Sequence, residues 1–193
     1  MHDALLTYIR TFATAPLTDN DVDLLKTLFV PKKFRKRQHF LQEGEVCRYA
    51  GFIVKGAMRQ YSVDDKGTEH VVQLLLENWW VGDRESLSKG IPSAYYTEAW
   101  EESDVLLLSK KDFEAFRSIP AVSQTILKMD QQHAIALQRR IHDAISLSAE
   151  QRYDHLVKTY PEFLQRFPQH LIASYLGIAN ENLSRIRHKA SKQ

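Results

Sequence analysis

A single cysteine, Cys47, excludes an internal disulfide and any metal or iron–sulfur site built from cysteines within one chain. No apolar run approaches the roughly 18 residues that crossing a membrane requires, and the N-terminus has no h-region. The expected location is therefore the cytoplasm, without a membrane partner. His-x-His occurs nowhere among the eight histidines, so the metal core of a jelly-roll metalloenzyme is missing. His39, His70 and His133 show no paired ligand spacing, which also argues against haem. No metal, resident cofactor, catalytic residue or enzyme activity is expected. Excess charge is scarce as well. A formal net charge of +2 does not by itself indicate a nucleic-acid partner, so the distribution of charge matters more.

Glycine is sparse and unevenly placed. Six of the seven glycines fall within residues 44–90: Gly44, Gly51, Gly56, Gly67, Gly82 and Gly90. Short apolar runs lie among and after them, at Phe52–Val54, Met58–Val63, Val71–Leu76 and Val105–Leu108. Asp64-Asp65-Lys66-Gly67 is a hairpin turn signal between two of these runs. Short strands with glycine turns predict an antiparallel, jelly-roll-like β-roll over about residues 34–109. Flanking helices are expected at 2–13, from the Leu5, Ile9 and Phe12 spacing, and after Thr18-Asp19-Asn20-Asp21. The basic run Lys32, Lys33, Arg35, Lys36 and Arg37 precedes the first predicted strand and is expected to be a solvated face.

After Pro120 the chain has neither glycine nor proline up to Tyr160. Val122, Ile126, Met129, His133, Ala136, Leu137, Ile141, Ala144 and Ile145 form a stripe close to a heptad seam. Such a helix either pairs with a second copy or packs on its own roll; the length and the polar flanks favour the dimer. Val122, Ile126, Met129, His133, Leu137 and Ala144 are its candidate contacts. Ser148 and Gln151 then form a capping-box pattern that starts a new helix. The predicted class is α+β, divided into a roll domain with flanking helices (1–120), a dimerisation helix (121–147) and an all-α domain (148–193).

Residues 169–188 carry the output motif, a helix-turn-helix. Ala173 lets two helices approach, Gly177 supplies a left-handed turn, and Ile172, Leu176, Ile178, Leu183 and Ile186 are the apolar lock. The outward positions Asn180, Glu181, Asn182, Ser184, Arg185, Arg187, His188 and Lys189 are candidate contacts to double-stranded DNA. Ala179 cannot cap the second helix, so Asn180 is expected to do so. Glu181 suits a cytosine amino group, and Arg185 suits the O6/N7 edge of guanine. Arg187, His188 and Lys189 suit phosphates. Arg185, Arg187, Lys189 and Lys192, with no acid following them, form a basic patch.

Roll, long helix and helix-turn-helix in this order resemble the Crp/Fnr superfamily, the relatives of the catabolite activator and fumarate-nitrate regulator proteins. The specific residues are Phe40–Glu45, Gly51–Gly56, Trp80-Val81-Gly82-Asp83 and Ile172–Arg187. The resemblance implies a cyclic-nucleotide-binding-like roll and a bacterial transcription regulator. It also implies a homodimer that reads a palindromic operator and contacts RNA polymerase. Three departures stand out. Members that bind cyclic AMP hold its phosphate with an arginine, and that position aligns with Ser93, with Ala94 beside it. A buried phosphate without that cation loses a charge-assisted bidentate bond, so no tight cyclic-nucleotide binding is expected. The chain also stops soon after Ala190, which implies a reader without a wing. The uncapped Ala179 is the third.

Gly82, Asp83, Arg84, Ser93, Ala94 and Tyr95 are the candidate pocket residues for an effector of unknown identity. Arg84 either supplies a replacement charge or pairs with a surface acid. Trp79, Trp80, Tyr95, Tyr96 and Trp100 either line an aromatic pocket or fill the roll. The alternative function is an effector-binding sensor module that acts through protein partners instead of DNA.

Overall fold

Two short helices open the chain: α1 (His2–Phe12) and α2 (Asp19–Leu28). The second begins where Thr18 and Asp21 cap each other's backbone reciprocally. The structure, a computed structural model, describes residues 1–190, so Lys192 lies outside the described residues.

The roll consists of β1 (Phe29–Phe34), β2 (His39–Leu41), β3 (Tyr49–Lys55), β4 (Met58–Val63), β5 (Glu69–Leu75), β6 (Trp80–Val81), β7 (Tyr96–Ala99) and β8 (Ser103–Ser109). These form two antiparallel four-stranded sheets, ordered β1-β8-β3-β6 and β2-β7-β4-β5. The first strand starts ahead of the predicted roll. Only its terminal Phe29 and Phe34 are buried, so it has no alternating pattern to read. Pro31 is tolerated there because β1 is an edge strand. The basic run therefore lies within β1 and the β1–β2 turn, and not before the first strand.

Phe34, Ile53, Met58, Leu75, Val81, Val105 and Leu107 fill the space between the sheets. Gly56, in the β3–β4 turn, has φ +101°, and a Cβ there would sit 2.6 Å from the Glu102 carbonyl oxygen. Only glycine fits that close approach. A second core joins the outer face of the β1-containing sheet, through Phe29, Phe52, Leu106 and Leu108, to α1 and α2.

A short helix, α3 (Arg84–Lys89), follows β6; after β8 a 3-10 turn leads into α4 (Phe113–Ser118). The long helix α5 (Pro120–Ser146) has proline in its first turn, where the missing N–H costs nothing. Its 27 residues span about 40 Å at ~1.5 Å per residue. Leu147 is extended, and the reciprocal Ser148–Gln151 box starts α6 (Ala149–Thr159). Three more helices follow: α7 (Phe163–Arg166), α8 (Gln169–Leu176) and α9 (Asn180–Ala190). No strand follows α9 among the described residues. The fold is α+β: a β-roll, a long helix and a C-terminal helical bundle.

Candidate nucleic-acid interface

The α8–α9 pair is built around Gly177. This residue closes α8 in the left-handed region (φ 64°, ψ 39°), and the Ile178 N–H donates to the Ala173 carbonyl at 3.0 Å. Leu171, Ile172, Ala173, Leu183 and Ile186 are buried between the helices and the helices beneath them. The start of α9 differs from expectation. The Ala179 carbonyl accepts from Asn182 and Leu183, at 3.0 and 3.1 Å, so Ala179 itself occupies the cap position. Asn180 is already helical and does not cap. Its backbone oxygen and its Oδ1 instead accept from Gln169 Nε2 at 3.1 and 3.2 Å, tying the two helix starts together.

Asn180, Glu181, Asn182, Ser184, Arg185, Arg187, His188 and Lys189 are all exposed. Glu181, Asn182, Ser184 and Arg185 have no side-chain partner among the described residues, so that stretch of the face is free to bond. Lys189 lies further along and pairs with Glu150 at 3.1 Å. With both side chains more than half or about half exposed, this pair contributes little and exchanges readily for a phosphate.

The pair is fixed to the roll. Val71, Leu74 and Leu76 from the β5 region, with Ala57, share one apolar core with Tyr153, Leu156, Phe163, Phe167 and the α8–α9 residues. The Ser174 hydroxyl accepts from the Val71 N–H at 2.9 Å and donates to the Glu69 carbonyl at 3.2 Å. Arg140 of α5 donates to the carbonyls of Val72 and Tyr175, at 2.6 and 3.1 Å, with its guanidinium over the Tyr175 ring. Arg166 bonds Glu101 at 2.6 and 2.9 Å and Glu77 at 3.1 Å. These two carboxylates push the Arg166 pKa further up. Burial alone would raise the Glu77 pKa, but hydrogen bonds from Arg166 and the Gly56 N–H outweigh it and hold Glu77 below its ordinary value. None of these clamp residues stood out in the sequence, because Arg166 meets partners 65 and 89 positions away.

The candidate pocket of residues 82–95, hereafter the cassette, is closed on itself. Asp83 caps α3 by accepting from the Glu85 and Ser86 N–H groups, and its other oxygen accepts from Ser93 Oγ at 2.7 Å. The Ser93 backbone is bonded on both sides, from its N–H to Glu45 and at its carbonyl from Gly44. Asp83 and Ser93 are 7% and 3% exposed, and neither makes an ion pair among the described residues. Gly82 faces the Tyr49 carbonyl, Ala94 is exposed, and Tyr95 is half-buried, its N–H donating to Ser93 Oγ. Arg84 turns outward and pairs with Asp130 of α5 at 2.8 Å, the second of its two expected roles. The buried cation of the roll, Arg59, alternates with Met58 and so lies on the outer face of β4, bonded to Glu98 and Glu69.

The aromatic residues do not form one pocket. Trp79 packs on Tyr160 and Phe163, Trp80 on Phe29, Phe52 and Phe116, and Tyr96 stacks on Tyr61. Trp100 lies beside His170. Cys47 is buried, which pushes its thiol pKa up and disfavours the reactive thiolate.

The seam of α5 also needs correction. Val122 is fully buried in the core shared with α1 and α2, and Ile126 packs against the same core. Val122 therefore cannot meet a partner. Met129 and His133 are half-buried, and burial, with Arg84 nearby, lowers the His133 pKa. Leu137 and Ala144 are exposed, and so are Leu127, Ala134, Ile141 and Ile145. Leu137, Ile141, Ala144 and Ile145 belong to the predicted stripe; with Leu127 and Ala134, which lie outside it, they have the spacing of an a/d seam.

Residues 31–119 match the family model for the cyclic nucleotide-binding domain. Solved structures share the fold over most of the chain. FixK2 of Bradyrhizobium japonicum superposes with a TM-score of 0.69 at 19% identity, over 86% of this chain and 85% of FixK2. The Thermus thermophilus catabolite activator protein gives 0.53 at 19%, over 91% and 84%. The c-di-GMP-responsive global regulator CLP of Xanthomonas campestris gives 0.69 at 13%, over 91% and 92%. The last two are named as an activator protein and a global regulator. No curated sequence matches significantly.

The clamp predicts a pH dependence. Because the folded Glu77 pKa is depressed, its contribution is complete above the unfolded value of about 4.3 and is lost as pH falls through the folded value. Tryptophan fluorescence, with Trp79 and Trp100 at this junction, should show the helical bundle loosening as pH falls below about 4.3. Glu77→Gln should flatten that response. Identical pH profiles for the two proteins would remove Glu77 from the clamp.

Proposed function

We propose that the protein is a cytoplasmic transcription regulator of Crp/Fnr type that reads a palindromic operator as a homodimer. The observation that carries this reading is the α9 face. Glu181, Ser184 and Arg185 are exposed and, among the described residues, without side-chain partners, on a helix whose inner side is locked by Leu183 and Ile186. Glu181 and Arg185 stand one helical turn apart, the spacing at which two side chains reach adjacent base edges. Asn180 and Asn182 border them, and Arg187, His188 and Lys189 suit phosphates.

The dimer rests on the exposed α5 ridge. Leu127 and Ile141 are each 60% exposed and Ile145 is 79% exposed, a run of apolar surface that a monomer has no reason to show water. Leu137, Ala134 and Ala144 complete the ridge. The cassette contributes no cation to a phosphate, because Asp83 and Ser93 satisfy each other. Tight binding of a cyclic nucleotide is therefore not part of the proposed mechanism.

Three outcomes are expected. Selection from random DNA should enrich a two-fold symmetric site with half-sites about one helical turn apart. On that site Arg185→Ala should cost ~1–3 kcal/mol and relax one base position, whereas Lys189→Ala should weaken all sequences alike. Absence of enrichment would favour a module that works through protein partners. Ile141→Glu should shift the chain from dimer to monomer in sedimentation equilibrium; a monomeric wild type would remove the α5 interface. Calorimetric titration with cyclic AMP or cyclic GMP should show no dissociation constant below ~10 μM, and a tighter value would mean that the cassette opens.

A further inference from the structure

Asn180 is the first residue of α9 and is exposed. A side-chain amide has two unlike ends: its oxygen accepts hydrogen bonds, and its nitrogen donates up to two. The end presented to a base decides which base edges it suits. That choice is made from the facing helix, by Gln169 at the start of α8.

Gln169 Nε2 donates to the Asn180 backbone oxygen at 3.1 Å and to Asn180 Oδ1 at 3.2 Å. Two independent neighbours fix the Gln169 amide in this orientation. A backbone carbonyl only accepts, so the end facing it must be the nitrogen. An arginine only donates, and Arg187 Nη1 approaches the other end, Gln169 Oε1, at 3.5 Å. With the Gln169 nitrogen facing Asn180, the Asn180 side chain can meet it only with its oxygen; the reverse would set two amino groups against each other. Polarity therefore runs one way, from Arg187 through Gln169 to Asn180. Asn180 Nδ2 is left without a hydrogen-bond partner among the described residues.

The arrangement is built into the helix crossing. Asn180 and Arg187 lie seven positions, about two turns, apart on one side of α9. Half-buried Gln169 reaches both. Ile172, Ala173 and Leu183 are buried and hold α8 against α9 beneath it.

We infer that Gln169 is a positioning residue that sets base specificity: by engaging Asn180 Oδ1, it makes Asn180 read bases through the Nδ2 donor. This inference rests on the DNA-reading function of α9. An unconstrained asparagine pairs with adenine through both ends, accepting from N6 and donating to N7. With the oxygen engaged, the donor end remains, and its targets are acceptors in the major groove. Guanine offers O6 and N7 and thymine offers O4, whereas cytosine offers only its N4 donor. Asn180 accordingly reads guanine or thymine.

The test uses the full chain and the selected operator, at the base pair where Asn180→Ala loses selectivity. Base analogues are placed there one strand at a time. Some delete an acceptor: 7-deazaguanine, 7-deazaadenine, or 5-methyl-2-pyrimidinone for thymine. Others delete an amino donor: purine for adenine, or 2-pyrimidinone for cytosine. The wild type should lose affinity roughly fivefold when the acceptor goes, the low end of base discrimination by such contacts, and should be indifferent to loss of the amino group. Gln169→Glu keeps the shape and the Arg187 contact but has no donor. It should take the Asn180 N–H, turn Oδ1 to the base and reverse this pattern. A merely structural role would weaken every duplex by one factor and leave the pattern unchanged, which overturns the proposal. Wild-type sensitivity to loss of the amino group also overturns it, and that measurement needs no variant to fold. So does an Asn180→Ala protein that keeps full selectivity while Arg185→Ala does not. If the wild type selects no operator at all, the DNA-reading function itself fails, a result distinct from the others.

Discussion

The apolar outer side of the β4–β5 region is the constraint on which the rest of the molecule depends. A roll strand facing solvent would carry polar residues on that side, yet Val71, Leu74 and Leu76 turn apolar groups outward and bury them under the C-terminal helices. Burial of side chains this size stabilises by roughly 1.5–3 kcal/mol each. The Arg166 bridges are partly exposed, with side chains 28–35% accessible, and ion pairs in such positions contribute on the order of 1 kcal/mol or less. The apolar seam holds the bundle on the roll, and the directional bonds of Arg166, Ser174 and Arg140 choose its orientation.

That division of labour explains what was legible in the sequence. Local chemistry reads directly. Gly177 ends α8 in the left-handed region, and Ser148 and Gln151 start α6 with the reciprocal box their spacing implies. The long helix reads from its lack of glycine and proline. The direction in which each element faces is a tertiary property and reads poorly. The predicted α5 stripe includes Val122, which the neighbouring α1 and α2 claim, whereas its later members Leu137, Ile141, Ala144 and Ile145 face solvent. The aromatic residues of 79–100 are close in sequence but are distributed among separate cores, because neighbouring residues on a strand point to opposite faces.

The candidate site divides in the same way. The α9 face was legible because its exposed and buried positions follow a single period. The cap was not: Ala179 holds the cap position without a side-chain acceptor, since Gln169 braces the start of α9 from the facing helix. The cassette was legible as a departure, Ser93 in place of an arginine. Its mutual satisfaction of Asp83 and Ser93 could be seen only once both side chains were placed. Arg84, beside it, reaches across to Asp130, so the cassette helix is tied to α5 from outside the roll.

The position of β5 at the rim of its sheet gives α8 a second role. A rim strand offers unpaired N–H and C=O groups to any passing chain and is a common starting point for aggregation. Here the Ser174 hydroxyl occupies the Val71 N–H and the Glu69 carbonyl, and the helix covers the adjoining apolar residues. The C-terminal helices α8 and α9 thus serve as the roll's edge guard. A shortened protein without them would expose a sticky sheet margin, which ties the solubility of the roll to the presence of α8 and α9.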